Sequence, residues 1–168
     1  QETYFSDGRV AYGDNKYAVF TKKSIRYKTS STSTTQYWVN VYYAGDLATL
    51  SKNSPCVTLH SYASQQGYND IIPSDMIYRG GYWVILAGLE TSPYSALIFY
   101  TKNIEANFTK ITFNGTETLQ FNNLVFLDNK FFFGAQESNT SYSNIHQLIF
   151  YTTGSTPDKW EKVVVFDK

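Results

Sequence analysis

The chain has 168 residues, with 14 basic and 14 acidic side chains, a formal net charge of +0 and a single cysteine. That length is one domain's worth and buries a sizeable core. Zero net charge, with 17% of residues charged, gives no electrostatic basis for holding nucleic acid or an anionic membrane surface. Lone Cys56 excludes an internal disulfide and a cysteine-cluster metal site. Aromatic residues make up 18%, too much stacking surface for a disordered chain. No apolar run approaches the roughly 18–20 residues of a membrane span, and residues 1–20 lack the apolar core of a signal peptide. Gln1 is not an initiator Met, so the sequence is expected to begin mid-gene or after processing.

In chain order, the first element is a hairpin. Tyr12-Gly13-Asp14-Asn15-Lys16-Tyr17-Ala18-Val19 sets Asp-Asn between two apolar runs, a dipeptide that reaches positive φ cheaply. Ser24-Ile25-Arg26-Tyr27 then reads as a third strand and Trp38-Val39-Asn40-Val41 as a fourth. A Ser-, Gly- and Asn-rich stretch follows and is set apart as an insertion over 44–73. The second unit opens with Ile77-Tyr78-Arg79-Gly80-Gly81-Tyr82-Trp83-Val84, where Gly-Gly makes the turn. It continues through Leu97-Ile98-Phe99-Tyr100-Thr101 and closes on Phe108-Thr109-Lys110-Ile111. The third unit repeats the order: Phe126-Leu127-Asp128-Asn129-Lys130-Phe131-Phe132-Phe133, then Leu148-Ile149-Phe150-Tyr151-Thr152, then Trp160-Glu161-Lys162-Val163.

Each unit thus reads as strand, tight turn, strand, loop, an Ile-x-Tyr strand, polar turn, and a strand opened by an aromatic residue. The three copies span about 8–42, 74–113 and 122–166. Tyr, Phe, Val, Ile and Thr dominate the runs, and the class is all-β. Four strands recurring at this spacing predict β-propeller-type blades: three four-stranded antiparallel sheets, apolar on both faces, within a single region over 1–168. Closed propellers use typically four to eight blades, so three make a partial propeller or a half-ring closed by a partner chain. The other arrangement left open is a non-propeller sandwich, with extra strands from the insertion.

The Ile-x-Tyr-Thr…Trp pattern resembles the Asp-box, or bacterial neuraminidase repeat, of sialidase-like β-propellers. Thr152-Thr153-Gly154-Ser155-Thr156-Pro157-Asp158-Lys159-Trp160 keeps the Thr, Gly, Asp and Trp in altered order. The second copy retains Thr101 and Phe108, and the first has a Ser/Thr-rich turn without Asp. The resemblance covers the three repeats and implies blade architecture. In that family the box is a turn stabiliser remote from the catalytic centre, so it does not by itself imply an enzyme. It makes Trp38 and Trp160 equivalent packing residues.

No catalytic set is predicted. A sialidase-like centre needs converging arginines, and Arg9, Arg26 and Arg79 fall at non-equivalent repeat positions. His60 and His146 lack ligand partners at metal spacing, and Cys56 reads as a buried thiol. No metal and no cofactor is expected. Tyr62, Tyr68, Tyr94 and Tyr142 fall outside the repeat frame, beside amides and hydroxyls. With Arg79, they are the candidates for contact with a glycan or a protein surface. The functional expectation is a non-enzymatic structural or binding module of a virion (a phage tail) or an extracellular surface. The alternatives are a fragment of a sialidase-like glycoside hydrolase and an intracellular protein-interaction propeller. Expected partners are a glycan or protein surface, and a second copy or adjoining blades that complete the ring. Nucleic-acid binding and membrane insertion are not expected.

Overall fold

Runs rich in β-branched and aromatic residues recur between short turn signals along the chain, and strands follow from that. The computed structural model describes residues 1–63, 70–90, 94–114, 118–138 and 144–167. They form β1 (Glu2–Gly13), β2 (Lys16–Lys28), β3 (Ser33–Ala44), β4 (Cys56–Ala63), β5 (Asp70–Arg79), β6 (Tyr82–Glu90), β7 (Ser95–Thr101) and β8 (Thr109–Asn114). They continue as β9 (Thr118–Leu127), β10 (Lys130–Ser138), β11 (Ile145–Thr152) and β12 (Trp160–Asp167). One 3₁₀ turn, Leu47–Thr49, is capped by the Asp46 carboxylate accepting from the Ala48 amide. The protein is all-β, with three four-stranded antiparallel sheets, each a simple meander: β1 to β4, β5 to β8 and β9 to β12.

Each sheet opens on a two-residue hairpin with both central residues at positive φ: Asp14 and Asn15 (48° and 56°), Gly80 and Gly81 (59° and 81°), Asp128 and Asn129 (49° and 56°). These turns follow the right-handed strand twist, which is why the sequence restricts them to Asn, Asp and Gly. The second and third sheets keep the strand order read from the sequence. The first corrects it. β2 runs unbroken for 13 residues, so Ser24–Tyr27 is the end of the second strand, not a third. Trp38–Val41 belongs to the third strand, and the fourth is Cys56–Ala63, inside the stretch set apart as an insertion. The first sheet therefore spans Glu2–Ala63 rather than 8–42, and Trp38 is not the counterpart of Trp160. The Lys22-Lys23-Ser24 segment imitates a loop in sequence, but it is the half-exposed middle of β2.

The three sheets stack face on face in chain order. One core cluster joins the first sheet to the second through Phe20, Val39, Val41, Trp83, Ile85 and Phe99. The other joins the second to the third through Val84, Leu86, Ile98, Phe131, Phe133 and Phe150. The middle sheet is buried on both faces, so β6 and β7 read as unbroken apolar runs instead of alternating ones.

Counted from the tight turn, the faces keep one polarity. The residue two before the turn and the residue two after it face the preceding sheet. Tyr78 and Trp83 of the middle sheet pack together at 5.0 Å between ring centroids and lie against the first sheet. Phe126 and Phe131 of the third pack at 4.7 Å and lie against the middle one. The residue three before the turn faces the following sheet, as Ala11 and Ile77 do. Close approach is allowed by glycine. A Cβ on Gly13 would run into the Tyr78 ring, and one on Gly80 would stand 3.0 Å from Cζ of Phe126.

Candidate functional site

The first strand of each sheet is interrupted by a bulge a few residues before its tight turn. Pairing slips between Ser6 and Arg9 in β1, between Pro73 and Asp75 in β5, and opposite Phe133 and Ala135 in β9. A bulge re-aims the side chain that follows it. Arg9 and Asp75, each five residues before its turn, both reach forward to the backbone of the next sheet. The Arg9 guanidinium Nε donates to the Ser74 carbonyl at 2.7 Å. Asp75 Oδ2 accepts from the Leu124 amide at 2.8 Å, while Oδ1 accepts from Met76. The slot in each case is the same; the chemistry is opposite, a cation on a carbonyl and a carboxylate on an amide.

Beside these bulges a cavity of about 490 Å³ opens between the middle and third sheets. Its floor is apolar, with Ile72, Leu89, Leu119 and Phe121, and its rim carries Arg9, Ser74, Tyr94 and Gln120. Gly88 is required here, since a Cβ would stand 2.9 Å from Cζ of Phe121, and that ring forms the back wall. Tyr94 is exposed at the mouth. Ser95 also lines it and donates to Asn114 Oδ1 at 3.3 Å. A flat phenol, an amide, two hydroxyls and a half-engaged guanidinium suit a ligand with an apolar face and several hydroxyls or amides. The sequence singled out Tyr94 for this role. It missed Arg9 as a wall and Gln120 altogether, because neither lies in a motif and only the bulges bring them to one place.

The other candidates separate. Tyr62 is a core residue, 7% exposed and stacked on Tyr37 at 4.8 Å, which corrects its reading as a surface contact. It pairs with Tyr37 because β4 is a full strand of the first sheet. Arg79 sits at the tight-turn end of β5, its Nη1 donating to the Tyr78 carbonyl at 2.8 Å. Tyr68 and Tyr142 lie outside the described residues. The three arginines occupy three places: Arg9 at the bulge, Arg79 at a turn, and Arg26 bonded to Ser33 Oγ at 3.0 Å. Cys56 is exposed at the start of an edge strand, not buried. The His60 ring lies tilted against Tyr62 at 5.6 Å, and burial, with Lys110 adding to it, pushes its pKa down. Among the described residues, no three His, Cys, Asp or Glu side chains gather as a metal site requires.

Thr101 and Thr152 end the third strand of their sheets and order the turn that follows. Thr152 Oγ1 accepts from the Phe131 amide at 3.0 Å and donates to the Gly154 carbonyl at 2.6 Å. Thr101 Oγ1 donates to the Asn103 carbonyl at 2.9 Å. Trp160 Nε1 donates to the Pro157 carbonyl at 2.9 Å, and the indole packs 5.5 Å from the Phe133 ring. It is half-buried, less enclosed than a core tryptophan.

The fold and site thus define an all-β protein of repeated, blade-like four-stranded sheets. No helix of the described residues is long and apolar enough to cross a membrane. No protein-family model, curated protein or solved structure matches the chain.

Proposed function

We propose that the chain is a non-catalytic binding module built of propeller-type blades, and that it takes a glycan or a polar protein segment in the cavity rimmed by Arg9, Ser74, Tyr94 and Gln120. The observation that carries this reading is the cavity itself. At about 490 Å³, with apolar side chains beneath an exposed phenol and an amide, it accommodates a sugar-sized ligand. Sugar C–H faces stack on a phenol, and hydroxyls bond to amides and hydroxyls without any need for net charge. The neutral, sparsely charged surface composition suits a component of a virion, such as a phage tail, or of an extracellular surface, which must meet its target without electrostatic capture. The Thr-to-turn bonds and the Trp160 anchor support the likeness to Asp-box blades, where such groups brace a turn and take no part in chemistry. As blades, the sheets adjoin others, in a second copy or a neighbouring segment.

The test is a glycan-array screen followed by titration of the best ligand. Tyr94→Ala is expected to weaken binding about tenfold, the worth of one stacking contact, with the sugar unchanged after incubation. Binding indifferent to both Tyr94→Ala and Gln120→Ala would remove the cavity from the proposal. Release of sugar, lost on Arg9→Ala, would favour the hydrolase reading instead.

A further inference from the structure

We infer that the outer faces of the first and third sheets are the two halves of one junction, and that each is covered by the other face of a second copy of this chain. The inference rests on the blade reading above, though not on its ligand. The sheets have a fixed polarity, and the free face at each end of the stack repeats a face that is already buried inside it.

Tyr12 and Tyr17 stand two residues before and two after the first tight turn, and their rings pack at 4.6 Å. They match Tyr78 with Trp83 and Phe126 with Phe131, the pairs that press on the preceding sheet. In the second and third sheets the strand-two member is fully enclosed. In the first, the strand-two member Tyr17 is half-exposed, and its partner Tyr12 is 54% exposed. A mostly apolar hollow of about 310 Å³, lined by Phe5, Val19, Tyr42 and Leu50, opens on that same face.

The third sheet shows the complement. Val125 stands three residues before its turn, where Ala11 and Ile77 meet the following sheet, and it is 52% exposed. Leu127 occupies the place of Gly13, on which Tyr78 rests, and is 67% exposed. On the same face Val125 pairs with Phe132 and, in the neighbouring row, Ile149 with Val163, so apolar side chains recur from β9 to β12 beside Tyr151 and Glu161. Asn123 completes the set, five residues before its turn. That is the slot from which Arg9 and Asp75 clasp the next sheet's backbone.

The occupant follows from the count. Every junction among the described sheets joins a forward face to a backward face, and one face of each kind is left uncovered. A second copy satisfies both at once. Two copies give six sheets, within the range that closes a ring, whereas one copy gives three and three give nine. The contact is heterologous, so closure by a two-fold axis along the ring yields a dimer with two identical junctions.

Sedimentation of the whole chain over a range of concentrations tests this. The wild type is expected to reach twice the chain mass and no higher. Tyr12→Lys and Leu127→Lys, both at exposed positions, are each expected to raise the dimer dissociation constant by tenfold or more. Their circular dichroism should stay as in the wild type, and their melting should match that of the wild type diluted to monomer. Mixed in equal amounts, the two variants should recover part of the dimer, since one of the two junctions then joins unaltered faces. A wild type that stays monomeric at about 100 μM, an open-ended polymer, or a dimer lost in only one variant would each overturn the inference. The blade reading has its own test, because Phe126→Ala must destabilise the internal junction. A monomer in which Phe126→Ala is destabilising fails the second copy alone, and an inert Phe126→Ala fails the blades. Tyr94→Ala should leave the mass unchanged.

Discussion

Gly13 and Gly154 are a matched pair for testing how closely the sheets approach. An alanine methyl at 13 would drive into the Tyr78 ring, which is itself packed against Trp83 and has little room to yield. Gly13→Ala is expected to cost about 1–3 kcal/mol as overpacking. Gly154 has nothing within 4 Å of its Cβ direction, and Gly154→Ala should stay within about 0.5 kcal/mol in the same urea titration. The tryptophans separate similarly. Trp83 is fully enclosed, and Trp83→Ala should cost about 3–5 kcal/mol. Half-buried Trp160, read from the sequence as a packing residue, should cost less. His60 gives a pH signature. Burial holds its pKa below the ordinary 6.5, so below that pH the unfolded chain takes up a proton that the native histidine resists. Stability is therefore complete above about pH 6.5 and falls as the solution is acidified through it. His60→Gln should flatten that part of the profile, measured as the denaturation midpoint between pH 8 and 5.5. Glu2 belongs to a lower window, since the Tyr4 hydroxyl, then Lys28, hold its carboxyl below the usual range.

At the scale of elements, the hairpins were the most legible feature. Asp14-Asn15, Gly80-Gly81 and Asp128-Asn129 announce turns because few residues tolerate two successive left-handed conformations. The cost can be measured at one of them: Asn129→Ala should lose about 1 kcal/mol, and Asn129→Gly should recover most of it. The first sheet was less legible for a reason visible in β2. Its residues from Lys22 onward carry no strong apolar alternation, so nothing in the sequence says that the strand continues for two further turns of pleat. A second strand that in sequence looks to end early shifts the repeat frame, putting Trp38 in the place of a fourth-strand residue and Tyr62 outside the repeat, where it reads as a surface residue. The bulges were illegible altogether. Ser74 and Asn122 have no compositional mark, yet the bulges decide which side chains line the cavity and which reach the next sheet.

For the molecule as a whole, the decisive fact is that the middle sheet is enclosed on both faces while its neighbours are enclosed on one. Val84, Ile85, Leu86 and Ile98 have no exposed surface, so the free energy of opening should peak in β6 and β7. Amide hydrogen exchange is expected to be slowest there and fastest along β12, where every residue after Trp160 is exposed. Uniform protection across the three sheets would contradict that ordering. The sequence showed the doubly apolar runs of β6 and β7, which excluded a sheet with one wet face. It could not show which unit stands in the middle, since Phe131-Phe132-Phe133 is at least as apolar as Trp83-Val84-Ile85.

The forward reach of Arg9 and Asp75 from one bulge slot has a consequence for how such a chain can grow. A coupling with a distinct front and back works like a railway hitch: any carriage fits behind any other, but none fits in reverse. Tandem duplication of the 70–114 unit would therefore keep the direction of every joint while giving the new one contacts of its own, whereas an inverted insertion would find no mate at either end.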